Sequence, residues 1–220
     1  MSMKKIIIMM VVALMATTAM GQLTHTATGT VDENAEKVLK KAHEMFEKSS
    51  GISFDVTMVS RDSQKKETGR QKAKVLYSKG KYRVEMADGT LYCDGKSTWH
   101  WNKGTKEVMV NTISTADDDL MNPARLLANY KKNFKAKYIR QDADGTDVVD
   151  LTPKKAKSYH KIRLLINSKN SRIKRMEIHN YDSSEGLVDV SNVQMGVKCG
   201  DKDFVFDSEA NKGVEIIDMR

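Results

Sequence analysis

The chain has 220 residues, 40% of them hydrophobic and 30% charged. That balance describes a globular protein with a modest core and excludes a disordered chain, while only two prolines and thirteen glycines exclude collagenous and proline-rich chains. The length admits one large or two small domains, and a formal charge of +8 favours anionic surroundings.

Residues 1–21 have the layout of a secretory signal. Lys4 and Lys5 precede an apolar run over 6–16, and Ala19 and Gly21 sit where a peptidase would cut. The run is short for a bilayer span; an uncleaved anchor is the alternative. The expected mature protein is a single domain over residues 22–220, without a cysteine placed to take a lipid. Loss of Lys4 and Lys5 lowers the charge from +8 to +6. Export removes nucleic acid as a partner. The lysine pairs Lys40-Lys41, Lys65-Lys66, Lys131-Lys132 and Lys154-Lys155 then read most simply as solvated faces, or else as contacts to an anionic membrane or acidic partners. Cys93 and Cys199 form either one disulfide or two buried thiols.

After a polar stretch over 22–30, Thr30 and Glu33 fit a capping box. Ala35, Val38, Leu39, Ala42, Met45 and Phe46 follow at helical spacing on one stripe. From Ile52 the period changes to two, and strands are predicted over 52–58, 70–77, 81–86, 90–93, 97–101 and 106–111. Lys79-Gly80, Asp88-Gly89, Asp94-Gly95 and Lys103-Gly104 each offer a glycine to a tight turn with positive φ. A loop over 112–121 leads to Asn122 as cap and Pro123 as first residue of a second helix, whose Leu126, Leu127 and Tyr130 share a face. Strands resume over 135–141, 147–151, 159–166, 172–179, 187–197, 204–206 and 214–218. No linker or repeat separates the two runs.

The fold class expected is therefore α+β, mostly β: one continuous antiparallel sheet with helices covering its concave face. So many strands curl under their own twist, and the concave face is too wide for its own side chains to fill. Amphipathic helices must cover it, and any space left between helix stripe and sheet is an apolar pocket.

Catalytic constellations are sparse. The five histidines show no metal-ligand spacing. Asp142, Asp144, Gly145 and Asp147 suggest a calcium loop only faintly, because Pro153 stands where a bidentate glutamate is needed; a strand-connecting turn is the simpler reading. Asp117, Asp118 and Asp119 read as solvated. No nucleophile elbow, phosphate loop or dinucleotide fingerprint occurs, and His100 beside Ser97 or Asp94 is the sole local candidate for a hydrolase. The expectation is a protein without catalytic activity, metal or cofactor. Trp99, Trp101, Tyr77, Tyr82, Val84, Met86 and Met109 instead offer walls for an adaptable apolar cavity, ordinary core packing being the alternative for each.

The stretch Asp94-Gly95-Lys96-Ser97-Thr98-Trp99-His100-Trp101-Asn102 resembles the "SDGKTLWFYN" hairpin of the outer-membrane lipoprotein carrier family, LolA. Gly80-Lys81-Tyr82-Arg83-Val84-Glu85-Met86 is similar to its "PGKFRWEY" strand, Asn122-Pro123-Ala124-Arg125-Leu126-Leu127 to its middle helix, and Leu151-Thr152-Pro153-Lys154 to its "LTPK" turn. Ser191-Asn192-Val193, Phe204-Val205-Phe206 and Gly213-Val214-Glu215-Ile216-Ile217 resemble its closing strands. Two positions depart: Ser78 replaces the basic residue before the "PG" turn, and Val84 the tryptophan of "FRWEY".

The resemblance implies an unclosed antiparallel half-barrel with helices lidding its concave face, and a monomeric periplasmic carrier that shields the acyl chains of lipoproteins between the two membranes. The implied partners are acylated lipoproteins or other lipids as cargo, an inner-membrane ABC transporter complex, and an outer-membrane acceptor. Residues expected to line the acyl cavity and its lid are Leu39, Met45, Phe46, Val84, Met86, Trp99, Trp101, Met109, Leu126, Leu127 and Tyr130, with Tyr82 contacting the membrane partners. The competing reading is an envelope module of the same fold that senses or scaffolds without transporting.

Overall fold

The computed structural model describes residues 32–113 and 122–220, all within one compact unit. The signal-like segment, Thr30 and the three aspartates of the 112–121 loop lie outside the described residues. Among the described residues two helices, α1 (Glu33–Lys48) and α2 (Pro123–Asn133), accompany twelve strands. The first run comprises β1 (Ile52–Arg61), β2 (Glu67–Ser78), β3 (Lys81–Met86), β4 (Gly89–Cys93), β5 (Ser97–Asn102) and β6 (Glu107–Thr112). The second comprises β7 (Phe134–Gln141), β8 (Thr146–Pro153), β9 (Tyr159–Asn167), β10 (Ile173–Asn180) and β11 (Glu185–Met195), and β12 (Glu215–Asp218) closes the chain.

These form one sheet in the order β12-β6-β5-β4-β3-β2-β1-β11-β10-β9-β8-β7. Each run is a meander of hairpins, and the antiparallel pair β1–β11, from Ile52 opposite Met195 to Arg61 opposite Glu185, joins them. The ends of the sheet, β12 and β7, do not meet, so it is the one continuous, mostly antiparallel sheet that the periodicity predicts, unclosed as the family resemblance implies. One pairing departs from that plan: β12 returns to run parallel to β6. A second departure is residues 204–206, expected as a strand; Phe204 instead ends a 3₁₀ turn (Asp201–Phe204).

Turn chemistry explains the tight hairpins. At the β2–β3 turn Lys79 and Gly80 both take positive φ, 47° and 82°, the twist a two-residue hairpin needs. Gly89 differs from expectation. It is required by close approach, since a Cβ there would lie 2.2 Å from the Trp101 carbonyl oxygen. In the β5–β6 turn the positive φ falls on Lys106 rather than Gly104.

The helices are tied down by polar caps. Asp32, not Thr30, caps α1: one carboxylate oxygen accepts from the Ala35 N–H at 3.0 Å and the other from the Tyr138 N–H of edge strand β7 at 2.9 Å. Asn122 caps α2 by accepting from the Arg125 N–H, and its amide donates to the Gly80 carbonyl, anchoring the helix start to the β2–β3 turn. An ion pair between Lys131 and Glu36 joins the two helices. The α2 chain then passes directly into β7 at Phe134. Cys93 and Cys199 are not bridged.

Candidate functional site

The helices lie on the concave face and cover it over β1–β4 and β7–β10. Ala35, Leu39, Ala42 and Phe46 of α1 and Ala124, Leu126, Leu127 and Tyr130 of α2 are buried against Phe54, Val75, Val84, Leu151, Ile162, Leu164 and other sheet residues. Met45 and Met86 are half-buried against the same core. Phe46 meets Tyr77 edge-to-face, with centroids 5.5 Å apart. The Tyr77 hydroxyl accepts from the Gly80 N–H at 3.0 Å, and burial pushes its pKa up. Burial does the same to the Tyr130 phenol. The two backbone N–H groups on Asp32 hold its carboxyl below the usual carboxylate range.

Burial changes sides across the sheet. In β9, Ile162, Leu164 and Ile166 face the helices, and Lys161 and Arg163 face away. In β6 the sides exchange: Val108 and Val110 are buried on the face away from the helices, while Met109 between them is 39% exposed. The helix-covered core takes buried side chains from β1–β4 and β7–β10 and none from β5, β6 or β12. Strand register makes the consequence concrete. Val84, Leu91, His100, Met109 and Ile217 stand opposite one another on successive strands, so one row runs from beneath the helices to a margin where Met109 and Ile217 (37% exposed) reach solvent.

Nine of the eleven predicted cavity residues share this concave face, but not all in the same role. Leu39, Phe46, Val84, Leu126, Leu127 and Tyr130 are core, Met45 and Met86 flank it, and Met109 lies on the open margin. Trp99 and Trp101 require correction. The alternation that places His100 in the concave row sends both indoles to the convex face, with Tyr92, Val108, Val110 and Phe206. There residues 201–214 form a strap whose Phe206 ring lies 5.8 Å from Trp101 and 6.2 Å from Tyr92. Lys81 to Asp201 at 2.6 Å and Arg83 to Asp203 at 3.6 Å fasten its start. Tyr82 is a second correction. It is 4% exposed in the helix-covered core, because it shares the inward parity of Val84, and presents no surface to a partner.

The expected open hollow is also revised. A cavity of about 340 Å³ opens at the flank of α1, lined by Lys37, Lys41, Asp147 and Ser168 among others; another of about 370 Å³ lies among Ser53, Asp55, Lys74 and Asn192. None of the predicted site residues lines either one. Leu91, His100 and Ile217 belong to the concave row although sequence reasoning did not select them; the signal available was register with Val84, which no single strand reveals.

Other candidate centres resolve into structural roles. In the β7–β8 turn Lys174 holds Asp144 at 2.7 Å, with the Asp144 pKa lowered to about 2, and Asp147 accepts from the Tyr138 hydroxyl and Gln141. Asp94 accepts from the Lys96 and Ser97 N–H groups of its own turn, and Ser97 shares the convex parity of Trp99, opposite to His100. Ser78 donates to the Ser50 carbonyl at 2.7 Å, bracing the end of α1. Among the described residues no three His, Cys, Asp or Glu side chains gather as a metal site.

The family described as outer membrane lipoprotein carrier protein LolA matches residues 80–207, from the β2–β3 turn into the strap. The chain belongs to the LolA family. An uncharacterised conserved protein of Thermus thermophilus superposes with a TM-score of 0.56 at 10% identity, covering 84% of this chain and 99% of its own, and so shares the LolA-like fold. A LolA superfamily protein of Nitrosomonas europaea aligns at 15% identity and TM-score 0.44 over 78% of this chain and 97% of its own. A putative outer membrane lipoprotein-sorting protein domain of Vibrio parahaemolyticus aligns at 9% identity and TM-score 0.48, over 81% and 98%. No curated protein matches the sequence.

Proposed function

We propose that this LolA-family chain is a periplasmic, non-enzymatic carrier of acyl chains that works as a monomer and needs no cofactor. The observation that carries the reading is the row from buried Val84 through Leu91 and His100 to exposed Met109 and Ile217, apolar but for the His100 imidazole. A hydrocarbon tail entering at the margin would extend the row inward by displacing helix side chains such as Leu126 and Leu127. Each acyl methylene taken from water is worth about 0.8 kcal/mol, so a fourteen-carbon chain supplies on the order of 10 kcal/mol to offset that displacement. A closed ground state also aids release, since refilling the interface with Leu39, Phe46 and Leu126 competes with the cargo.

Family membership and the secretory layout of residues 1–21 support cargo consisting of lipid-modified proteins, loaded by an inner-membrane ABC transporter complex and passed to an outer-membrane acceptor. The packed helix–sheet core favours one competing reading, a sensing or scaffolding envelope module that never opens. Mass spectrometry of the protein purified gently from its native envelope separates them. Acyl-bearing cargo should accompany the wild type and be lost from Met109→Asp, whose site is already in solvent, and from Leu126→Asp. Wild type that is always empty, or Met109→Asp that retains equal cargo, overturns the carrier.

A further inference from the structure

The topology gathers three of the four lysine pairs onto one rim of the sheet. Lys65-Lys66 lie in the β1–β2 turn, Lys131-Lys132 in the last turn of α2, and Lys154-Lys155 in the β8–β9 connection. Strand register places all three at the same end, where Arg61 faces Glu185, Asn180 faces Tyr159 and Phe134 faces Pro153. Direct contacts make the rim continuous. The Lys65 ammonium donates to the Ser183 carbonyl of the β10–β11 turn at 3.0 Å, and the Lys154 ammonium to the Lys131 carbonyl at 2.5 Å. Between them stands Tyr181, 70% exposed, its ring 5.5 Å from that of His160.

We propose that this rim docks the protein on an anionic bilayer surface, with the lysines over the headgroups and Tyr181 as an interfacial anchor. Composition decides between a bilayer and a protein partner. The turns over 62–66 and 154–158 and residues 131–133 contain lysine and no arginine, the turn over 181–184 contains neither, and Arg61 closes β1 beside the first turn. Protein interfaces favour arginine and an apolar centre and are poor in lysine, whereas compact, mobile ammonium charges suit a diffuse layer of lipid phosphates. A lone exposed tyrosine matches the aromatic residues that settle at membrane–water boundaries. The acidic groups of the turns are occupied locally: Asp62 accepts from the Gln64 and Lys66 N–H groups, and Asp182 from the Ser184 N–H and hydroxyl. Lys65 also pairs with Glu185, and Lys131 with Glu36, so these two charges are partly offset. Docking of this kind does not depend on whether the concave face carries cargo.

The test is co-sedimentation of the chain from Gln22 onward, which retains the whole compact unit, with vesicles of phosphatidylcholine alone or mixed with phosphatidylglycerol. Binding should require the anionic lipid and weaken steeply with salt. At roughly 1 kcal/mol per lysine, Lys65→Glu/Lys66→Glu or Lys154→Glu/Lys155→Glu should each weaken it at least about tenfold. Tyr181→Ala should weaken it without changing the salt dependence. Lys40→Glu/Lys41→Glu, reversing the fourth pair on the outer face of α1, is the control for net charge and should have much the smaller effect. Equal binding to both vesicle types, no binding at all, or a control as damaging as the rim variants overturns the proposal.

Discussion

The two flanks of the sheet bury opposite faces. From β7 to β10 the concave side is closed by helices, and the convex side is paved with charges: the Arg163 guanidinium grips Asp150 with both nitrogens at 2.7 and 2.9 Å, and Arg175 pairs with Asp189. From β4 to β6 the convex side is aromatic and lies under the C-terminal strap, while the concave side ends in exposed Met109. A strand apolar on both faces needs two covers. Where the chain supplies one, the other face meets solvent, as Met109 and Ile217 do. The inversion teaches that the chain itself closes the helix-covered flank but not the margin at Met109, and under the proposed function that margin is where cargo enters.

The largest break in this comparison should come from the strap. Phe206→Ala removes the ring that covers Trp101 and Tyr92, and should cost about 3 kcal/mol in chemical denaturation. Tryptophan fluorescence should shift to the red, and unchanged emission would show that the strap does not shield the convex indoles. On the helix-covered flank, Asp32→Ala removes the α1 cap and the tie to Tyr138 together, an expected loss of about 1–2 kcal/mol, with faster exchange at the Ala35 and Tyr138 amides.

The pH dependence of that tie has a definite sign. Because the folded Asp32 pKa is lowered, its contribution is complete above the unfolded carboxylate value, about 3.9, and disappears as pH falls through the folded one. The acid limb of stability should therefore be shallower in Asp32→Ala. Arg163→Ala leaves Asp150 beside only the more distant Lys161, at 3.9 Å, and should cost about 1–1.5 kcal/mol. Least is expected of Met109→Gln, below about 0.5 kcal/mol as for other exposed sites; a larger loss in denaturation would mean that the margin is closed by the fold itself.

Much of the fold is legible along the chain. Alternation around Ile52–Met58, the glycine of the Lys79-Gly80 turn and the Asn122-Pro123 helix start each act over a few residues, so their outcome is written locally. The site was less legible. Periodicity correctly groups Leu39 with Phe46 and Trp99 with Trp101, yet it cannot say which group faces the helices. In β5 both faces carry large side chains, so Trp99 and Trp101 were assigned to the wrong one. Tyr82 is buried rather than partner-facing for the same reason, since the parity of a strand acquires a direction only when neighbouring strands fix it.

By itself the sequence determined the alternating strands, the apolar stripes of two helices and the Asn122 cap, because these follow from spacing and local hydrogen bonding, and its motifs carried the resemblance to the LolA family. Only the tertiary structure decided which face each strand buries, that the strap covers the tryptophans, that Met109 and Ile217 stand in one row with Val84, and that three lysine pairs share a rim. Those arrangements depend on register between residues far apart in the chain, and a shift of one residue would turn every side chain of a strand to the other side.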